Sequence, residues 1–306
     1  MIKANIFISI AVAVLMSACG KTSGDADKKG TGTLGTDSTA LHVAVMPTLD
    51  CLPLYVASER GFFKQQGVDV RLVPFRSPRD QDEALRQGRV EGVVTDLVRA
   101  ERMQQHDTLP LRYATATAAS WQLLANPATK IREPRQLEHK MIAVAQFSAS
   151  DLLADIVIAE GMLDSTLAFK VQFNSLDVRL DMLKNNMMDA LVLPEPQATD
   201  ARLLKSPVLI DTRWSDIRLG VVAFREQAMQ TPARQSQVES FLRAYNVACD
   251  SINKYGLRAY GGIIQERCGV SQAVVDSLPR SFRFEHAASP RPADLERARD
   301  WVKDNR

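Results

Sequence analysis

The sequence predicts an α/β protein of two similar lobes that face each other across a cleft. Three observations carry this. Leu41 to Phe75 reads as strand, loop, helix and strand, a β-loop-α-β unit whose loop opens at the C-terminal end of its first strand. The same grammar returns about one hundred residues later, from Lys140 to Phe173. Further along both copies, Leu85 to Asp96 matches Leu183 to Pro194 at a constant offset. A repeat this long means duplicated lobes, because solenoid repeats are shorter.

The elements follow in order. His42 to Met46 alternates as a strand, and Pro47 to Cys51 is a polar loop. Pro53 stands where a helix start tolerates a missing N–H. Leu54, Ala57, Gly61 and Phe62 give that helix one apolar or small face, and Gly61 and Gly67 end it before the strand Val68 to Val73. Asp80 to Gln87 reads as a helix that stops at Gly88, and Gly92 to Thr95 as a strand with Asp96 at its end. In the second copy the corresponding helix stops at Asn186, which like glycine accepts a left-handed backbone. Leu111 to Ala116 is a further strand, and Gln122 to Ala125 begins the crossing into the second lobe. Lys140 to Ala145 is a strand, Asp151 to Ala159 a helix and Phe169 to Phe173 a strand. Val208 to Ile210 is another strand, and Gly220 to Phe224 returns to the first lobe. Gln235 to Lys254 carries an apolar stripe at spacings of three and four, and Asp294 to Val302 is a last amphipathic helix. The expected division is 1–19 signal peptide, 20–40 flexible linker, 41–124 plus 217–306 lobe I, and 125–216 lobe II.

Composition narrows the function classes. The 306 residues carry a net charge of only +2, and no Lys/Arg run tracks a phosphate backbone, so nucleic acid is not an expected partner. Met1 to Gly20 has a short positive start, the apolar run Ile6 to Met16 and a small-residue ending, which together read as an export signal. Leu15-Met16-Ser17-Ala18-Cys19 resembles a bacterial lipobox, which implies cleavage before Cys19 and lipid attachment to its sulfur. An ordinary signal peptide or a short membrane helix would share the apolar run. Lys21 to Ala40 is rich in Gly, Ser, Thr, Asp and Lys and suits a tether. Of the other cysteines, Cys249 and Cys268 are the pair close in sequence, leaving Cys51 in the first loop. No Cys/His spacing suggests a metal, and no cofactor is implied.

Five motifs now stand in order: Pro53 to Val70 with its Gly-Phe-Phe and Gly-Val-Asp-Val, Gly88 to Gly92, Gln136 to Ala143, Asp189 to Pro196, and Phe241 to Tyr245. Together they resemble ABC-transporter substrate-binding proteins of the nitrate/sulfonate/taurine and thiamine-pyrimidine-precursor group, over nearly all of Leu41 to Arg306. The resemblance implies a type II periplasmic-binding-protein fold with a two-strand hinge. It also implies a small-molecule ligand, a partner permease with its ATPase, and residence in the cell envelope, lipid-anchored and facing the periplasm or the outside. A monomer is expected. In such proteins strand ends and helix N-termini of both lobes converge on the ligand. Here those positions are Thr48, Leu49 and Asp50, then Thr95 and Asp96, then Ser120 and Trp121. In the second lobe they are Gln146, Ser148, Ser150 and Glu195.

Some of them have a plainer alternative. Ser148-x-x-Asp151 is also a capping box, Asp96 also suits a helix cap, and Trp121 also suits hinge packing. No Arg or Lys occupies an equivalent loop position, whereas Asp50, Asp96 and Glu195 do, so the expected ligand is amine-bearing or pyrimidine-like rather than a sulfonate. Glu195 would accept its hydrogen bonds and Trp121 would stack on it. Two other functions share the motifs: a ligand-sensing lipoprotein without transport, and an enzyme on the same fold, such as a relative of the pyrimidine synthases. Their cysteine-rich motif is missing here, and His42, His106, His139 and His286 stand in no catalytic pattern, so no enzyme activity is expected.

Overall fold

The computed structural model describes residues 39–305. The expected signal peptide with Cys19, and the linker as far as residue 38, lie outside the described residues.

Two five-stranded sheets form the frame. In the first, β1 (Leu41–Val45) lies between β2 (Val70–Pro74) and β3 (Gly92–Asp96) and is parallel to both. Next to β3 runs the antiparallel β10 (Gly220–Arg225), followed by β4 (Leu111–Ala116) at the edge. The second sheet repeats the order. There β6 (Met141–Val144) lies between β7 (Phe169–Gln172) and β8 (Ala190–Pro194), and the antiparallel β5 (Trp121–Ala125) separates β8 from β9 (Val208–Asp211). The inner strands β1, β3, β8 and β10 are buried on both faces, whereas the edge strands β2 and β7 are half-buried to exposed. In β8, Ala190 and Val192 pack to one side and Leu191 and Leu193 to the other, as period-two geometry requires.

The first lobe carries α1 (Leu52–Glu59), α2 (Phe62–Gln65), α3 (Pro78–Arg86) and α4 (Leu97–Gln105). The second carries α5 (Ala149–Glu160), α6 (Leu176–Lys184) and α7 (Gln197–Leu203). The chain then returns to the first lobe with α8 (Pro232–Tyr255), α9 (Gly261–Cys268) and α10 (Gln272–Ser277). The last helix, α11 (Pro292–Asp304), packs on α4 and reaches α5 through Trp301, whose Nε1 donates to Asp155 at 2.9 Å. One apolar cluster therefore runs from Leu97 and Met103 through Ala298 and Val302 to Leu152 and Ile158.

The repeated motifs have physical reasons. Gly88 and Asn186 both take positive φ, 70° and 54°, where α3 and α6 turn toward their next strands. Glu91 accepts the His42 backbone N–H at 2.7 Å, and Asp189 accepts that of Met141 at 2.9 Å. In each lobe a carboxylate thus staples the third strand to the first. The Gly-Phe-Phe motif places Phe63 flat on Phe241, with ring centroids 5.6 Å apart, so two of the five sequence motifs meet in the core between α2 and α8.

The chain crosses between sheets at residues 117–120 and 212–219, and neither crossing is a strand. They are tied at both ends, by Thr117 N–H to Gly220 O at 2.9 Å and by Thr212 N–H to Trp121 O at 3.0 Å. A Cβ on Gly220 would collide with Thr117 Oγ1 and Ala119 Cβ, so the crossings can approach this closely only beside a glycine. Every residue of β5 pairs in the second sheet, so the expected boundary between 124 and 125 cuts through that strand. The reason is local: β5 begins at the crossing itself, with four residues between it and the end of β4.

Candidate functional site

The parallel strands of both sheets point their C-terminal ends at one seam, where the two lobes touch. Leu49 N–H donates to Glu195 O at 2.8 Å, Gln197 Nε2 to Pro47 O at 2.7 Å, and Arg76 pairs with Asp177 at 2.7 Å. Between them lies a cavity of about 70 Å³. At about 10–15 Å³ for each water-sized occupant, that is room for a molecule of only a few heavy atoms. Thr48, Asp50, Thr95, Asp96, Trp121, Ser148 and Ser150 all line it. Four other expected residues do not.

Asp96 bridges the seam. Its Oδ1 caps α4 by accepting the Arg99 N–H at 3.0 Å, and also accepts the Ala149 N–H of α5 across the seam at 3.0 Å. One carboxylate oxygen thus serves two helix N-termini from opposite lobes, where negative charge is favoured. Burial nevertheless raises its pKa to about 6, with Arg99 and the two N–H bonds acting in opposition. Asp50 accepts from Thr117 Oγ1 at 3.0 Å, and burial raises its pKa too. Ser148 caps α5 through the Ser150 N–H at 3.2 Å, and the two hydroxyls lie 2.8 Å apart. Thr95 Oγ1 is buried without a hydrogen-bond partner beside the cavity.

The decisive side chain is one the sequence reading passed over. Arg179 of α6 is 2 % exposed and lines the cavity. Its Nη1 donates to Val192 O, its Nε has no partner, and no carboxylate pairs with it among the described residues. Burial alone lowers its pKa to about 10, so at neutral pH the cavity wall carries a guanidinium without a counterion. Its counterpart at the repeat offset is Gln81, whose Nε2 donates to Val94 O at 2.9 Å. Extending the repeat from Leu85 and Leu183 back by one helical turn would have found both. Arg99 also lines the cavity, paired with Asp82. Helices α4 and α6, outside the loop positions the sequence singled out, therefore bring two arginines to the cleft beside its carboxylates.

The remaining four expected residues are elsewhere. Leu49 is 1 % exposed in the first-lobe core, and only its backbone N–H reaches the seam. Ser120 accepts the Glu195 N–H at 3.3 Å and lies at a separate cavity near the crossings. Gln146 is exposed at an outer cavity on the seam. Glu195 is buried away from the cleft cavity. It accepts from Thr199 N–H at 3.0 Å, Thr199 Oγ1 at 2.7 Å, Gln122 Nε2 at 3.0 Å and Arg202 Nη1 at 3.0 Å.

Cys51, Cys249 and Cys268 are free thiols, all buried. Burial first, and then the neighbouring Asp50, hold the Cys51 thiol well above its usual range, which makes it a poor nucleophile. Among the described residues no group of three or more His, Cys, Asp or Glu is placed to hold a metal ion. No helix among them is long and apolar enough to cross a membrane.

Residues 48–252 match the family described as NMT1/THI5 like, a span that holds Asp50, Asp96, Arg99 and Arg179 of the cavity. The chain belongs to the NMT1/THI5-like family. No curated protein sequence matches this family member significantly. Among solved structures it resembles the periplasmic aliphatic sulphonate-binding protein SsuA of Escherichia coli, with a TM-score of 0.71 at 15 % identity over 87 % of each chain. It resembles the ligand-binding component of an ABC-type import system from Staphylococcus aureus, solved with zinc bound, at 0.73 and 14 % identity over 87 % of this chain and 92 % of that one. The periplasmic nitrate-binding protein NrtA of Synechocystis PCC 6803 follows at 0.69 and 13 % identity, over 82 % and 74 %. At these identities the likeness establishes the two-lobed periplasmic-binding-protein fold that this NMT1/THI5-like chain adopts.

Proposed function

We propose that this chain is the substrate-binding component of an ABC importer, which captures a small organic ligand between its lobes and delivers it to a permease and its ATPase. The carrying observation is the unpaired Arg179 guanidinium in an interlobe cavity that both lobes line. A buried cation without an acid partner is costly unless an anion reaches it. The opposite wall offers Asp50, Asp96 and the free Thr95 hydroxyl. The ligand is therefore amine-bearing, as the carboxylates require, and also carries an anionic group that meets Arg179. Trp121 supplies the flat face for its carbon frame. This adds an anionic group to the amine-bearing or pyrimidine-like ligand expected from the sequence and removes Glu195 from the ligand shell. No catalytic role is assigned: the one cysteine next to the cavity lining is a buried thiol.

The crossings at 117–120 and 212–219 are the proposed hinge, with lobe I before and after them and lobe II between. The test is a thermal-shift screen of small zwitterions, sulfonates and amines, followed by small-angle scattering with the best stabiliser. A zwitterion should raise the melting temperature most and should lower the radius of gyration as the hinge closes. Stabilisation only by amines without an acid group, or an unchanged radius at saturation, would refute the reading.

The monomeric protein is held at the membrane through a lipid on Cys19, by our reading of the Leu15 to Cys19 ending. Arg234 Nη1 and Gln237 Nε2 on α8 hold the carbonyls of Ala40 and Thr39, so the first described residues are fixed to the first lobe. Cys19→Ala should move the protein from the membrane fraction to the soluble fraction with an unchanged melting temperature. A variant that still sediments with membranes after a high-salt wash would remove the lipid from this account.

A further inference from the structure

We propose that the outer interlobe cavity, between α3, α4 and the turn at residues 146–147, is a second site that binds an oxyanion across the seam. It is the larger of the two spaces on the seam, at about 340 Å³ against about 70 Å³, and Arg99 lines both. Two helix faces from lobe I build one wall. Arg79, Asp82 and Arg86 recur along α3 at spacings of three and four, and Arg99 and Arg102 are three apart on α4. Lobe II supplies Gln146 and Phe147, with Gln172 and Asn174 behind them.

The charges do not cancel. Four arginines line the cavity against two aspartates. Arg99 pairs with Asp82, and Arg86 reaches Asp107 at 3.8 Å, as well as Glu83. Arg79 and Arg102 have no carboxylate partner among the described residues. Their two charges, on opposite helices, face a polar cavity that an anion of charge about two would neutralise. Arg102 is held in place from the other lobe: its guanidinium carbon lies 3.8 Å from the Phe147 ring centroid. That stacking leaves the N–H edges of the guanidinium free, the geometry that suits a tetrahedral oxyanion. Phe147 itself has φ 54°, an unusual conformation for an aromatic residue, fixed by its N–H bonding Asp151 at 2.8 Å. Inside the wall, Arg99 Nε and Asp82 Oδ1 are buried without partners, so the one internal ion pair does not use its full hydrogen-bonding capacity. An anion here touches both lobes and favours their contact, and this holds whether or not the inner cavity serves transport.

Oxyanion binding is tested on the purified full chain by calorimetry and thermal shift with inorganic phosphate and sulfate, against chloride at matched ionic strength. Phosphate and sulfate should stabilise the protein, and chloride should not. Arg79→Gln, an exposed position outside the inner cavity, should weaken phosphate by about tenfold with the anion-free melting temperature kept, and Arg79→Gln with Arg102→Gln should weaken it by about a hundredfold. Equal stabilisation by chloride overturns the proposal, and so does full phosphate affinity in the double variant. O-phosphoethanolamine distinguishes the source of the oxyanion. If it binds more tightly than phosphate and Asp50→Asn cancels the difference, the oxyanion is one end of a molecule that reaches the inner cavity. If the two bind alike, the site takes a free anion.

Discussion

Arg179→Met should abolish tight ligand binding and at the same time raise the melting temperature. The two effects have one cause. Arg179 is buried, donates only to a carbonyl and has no acid partner among the described residues, so the ligand-free fold bears its desolvation cost. Methionine has a similar length and carries no charge. Replacing even a buried ion pair by apolar side chains is often stabilising, by about 1–4 kcal/mol in known cases, and an unpaired buried charge gives up less attraction when it is removed; each kcal/mol moves the melting temperature of a chain this size by about 2–4 °C. The loss in binding is larger. Removing a charged donor from a desolvated contact costs about 2–4 kcal/mol, roughly thirtyfold to several hundredfold in affinity. Arg179→Lys should retain part of the affinity, since it keeps the charge but loses the planar fork. Calorimetry and thermal denaturation on the three proteins decide the matter. Weakened binding with a lowered melting temperature would make Arg179 a structural residue, and unchanged binding would remove the anion from the ligand.

The frame was legible because strand burial and turn chemistry are local. The apolar run Ala190 to Leu193 and the left-handed stops at Gly88 and Asn186 can be read from a few residues each, and they place both lobes in order. The five motifs likewise marked core contacts such as Phe63 against Phe241. The site was only half legible, because position along the chain carries no direction. Gln146 does follow β6, but the turn at Phe147 leaves it on the outer cavity. Glu195 does follow β8, yet its side chain points back at β5 and α7. Arg179 sits inside a helix, where a search restricted to loops does not look. The three short helices α7, α9 and α10 went unread because six to eight residues carry too little periodicity to stand out.

Glu195→Gln separates these two kinds of residue most sharply. Were Glu195 a ligand group, the substitution would weaken binding and leave the fold alone. Its surroundings require the reverse. Oε1 faces Gln122 Nε2 and Arg202 Nη1 at 3.0 Å each, with Arg213 at 3.8 Å. Oε2 faces the Thr199 N–H at 3.0 Å and its hydroxyl at 2.7 Å. Whichever way a glutamine amide is turned, its NH2 meets groups that are already donating. Arg202 then loses its buried counterion, a change worth about 3–5 kcal/mol when one partner of a buried pair is removed. The damage falls where β5, α7 and the second crossing meet, so unfolding should begin at lower denaturant with the same dependence on its concentration. The cleft cavity lies elsewhere, and the folded fraction should bind its ligand with affinity within about threefold of the native chain, under about 0.7 kcal/mol. A variant of native stability with binding lost would return Glu195 to the ligand shell and move the site away from Arg179.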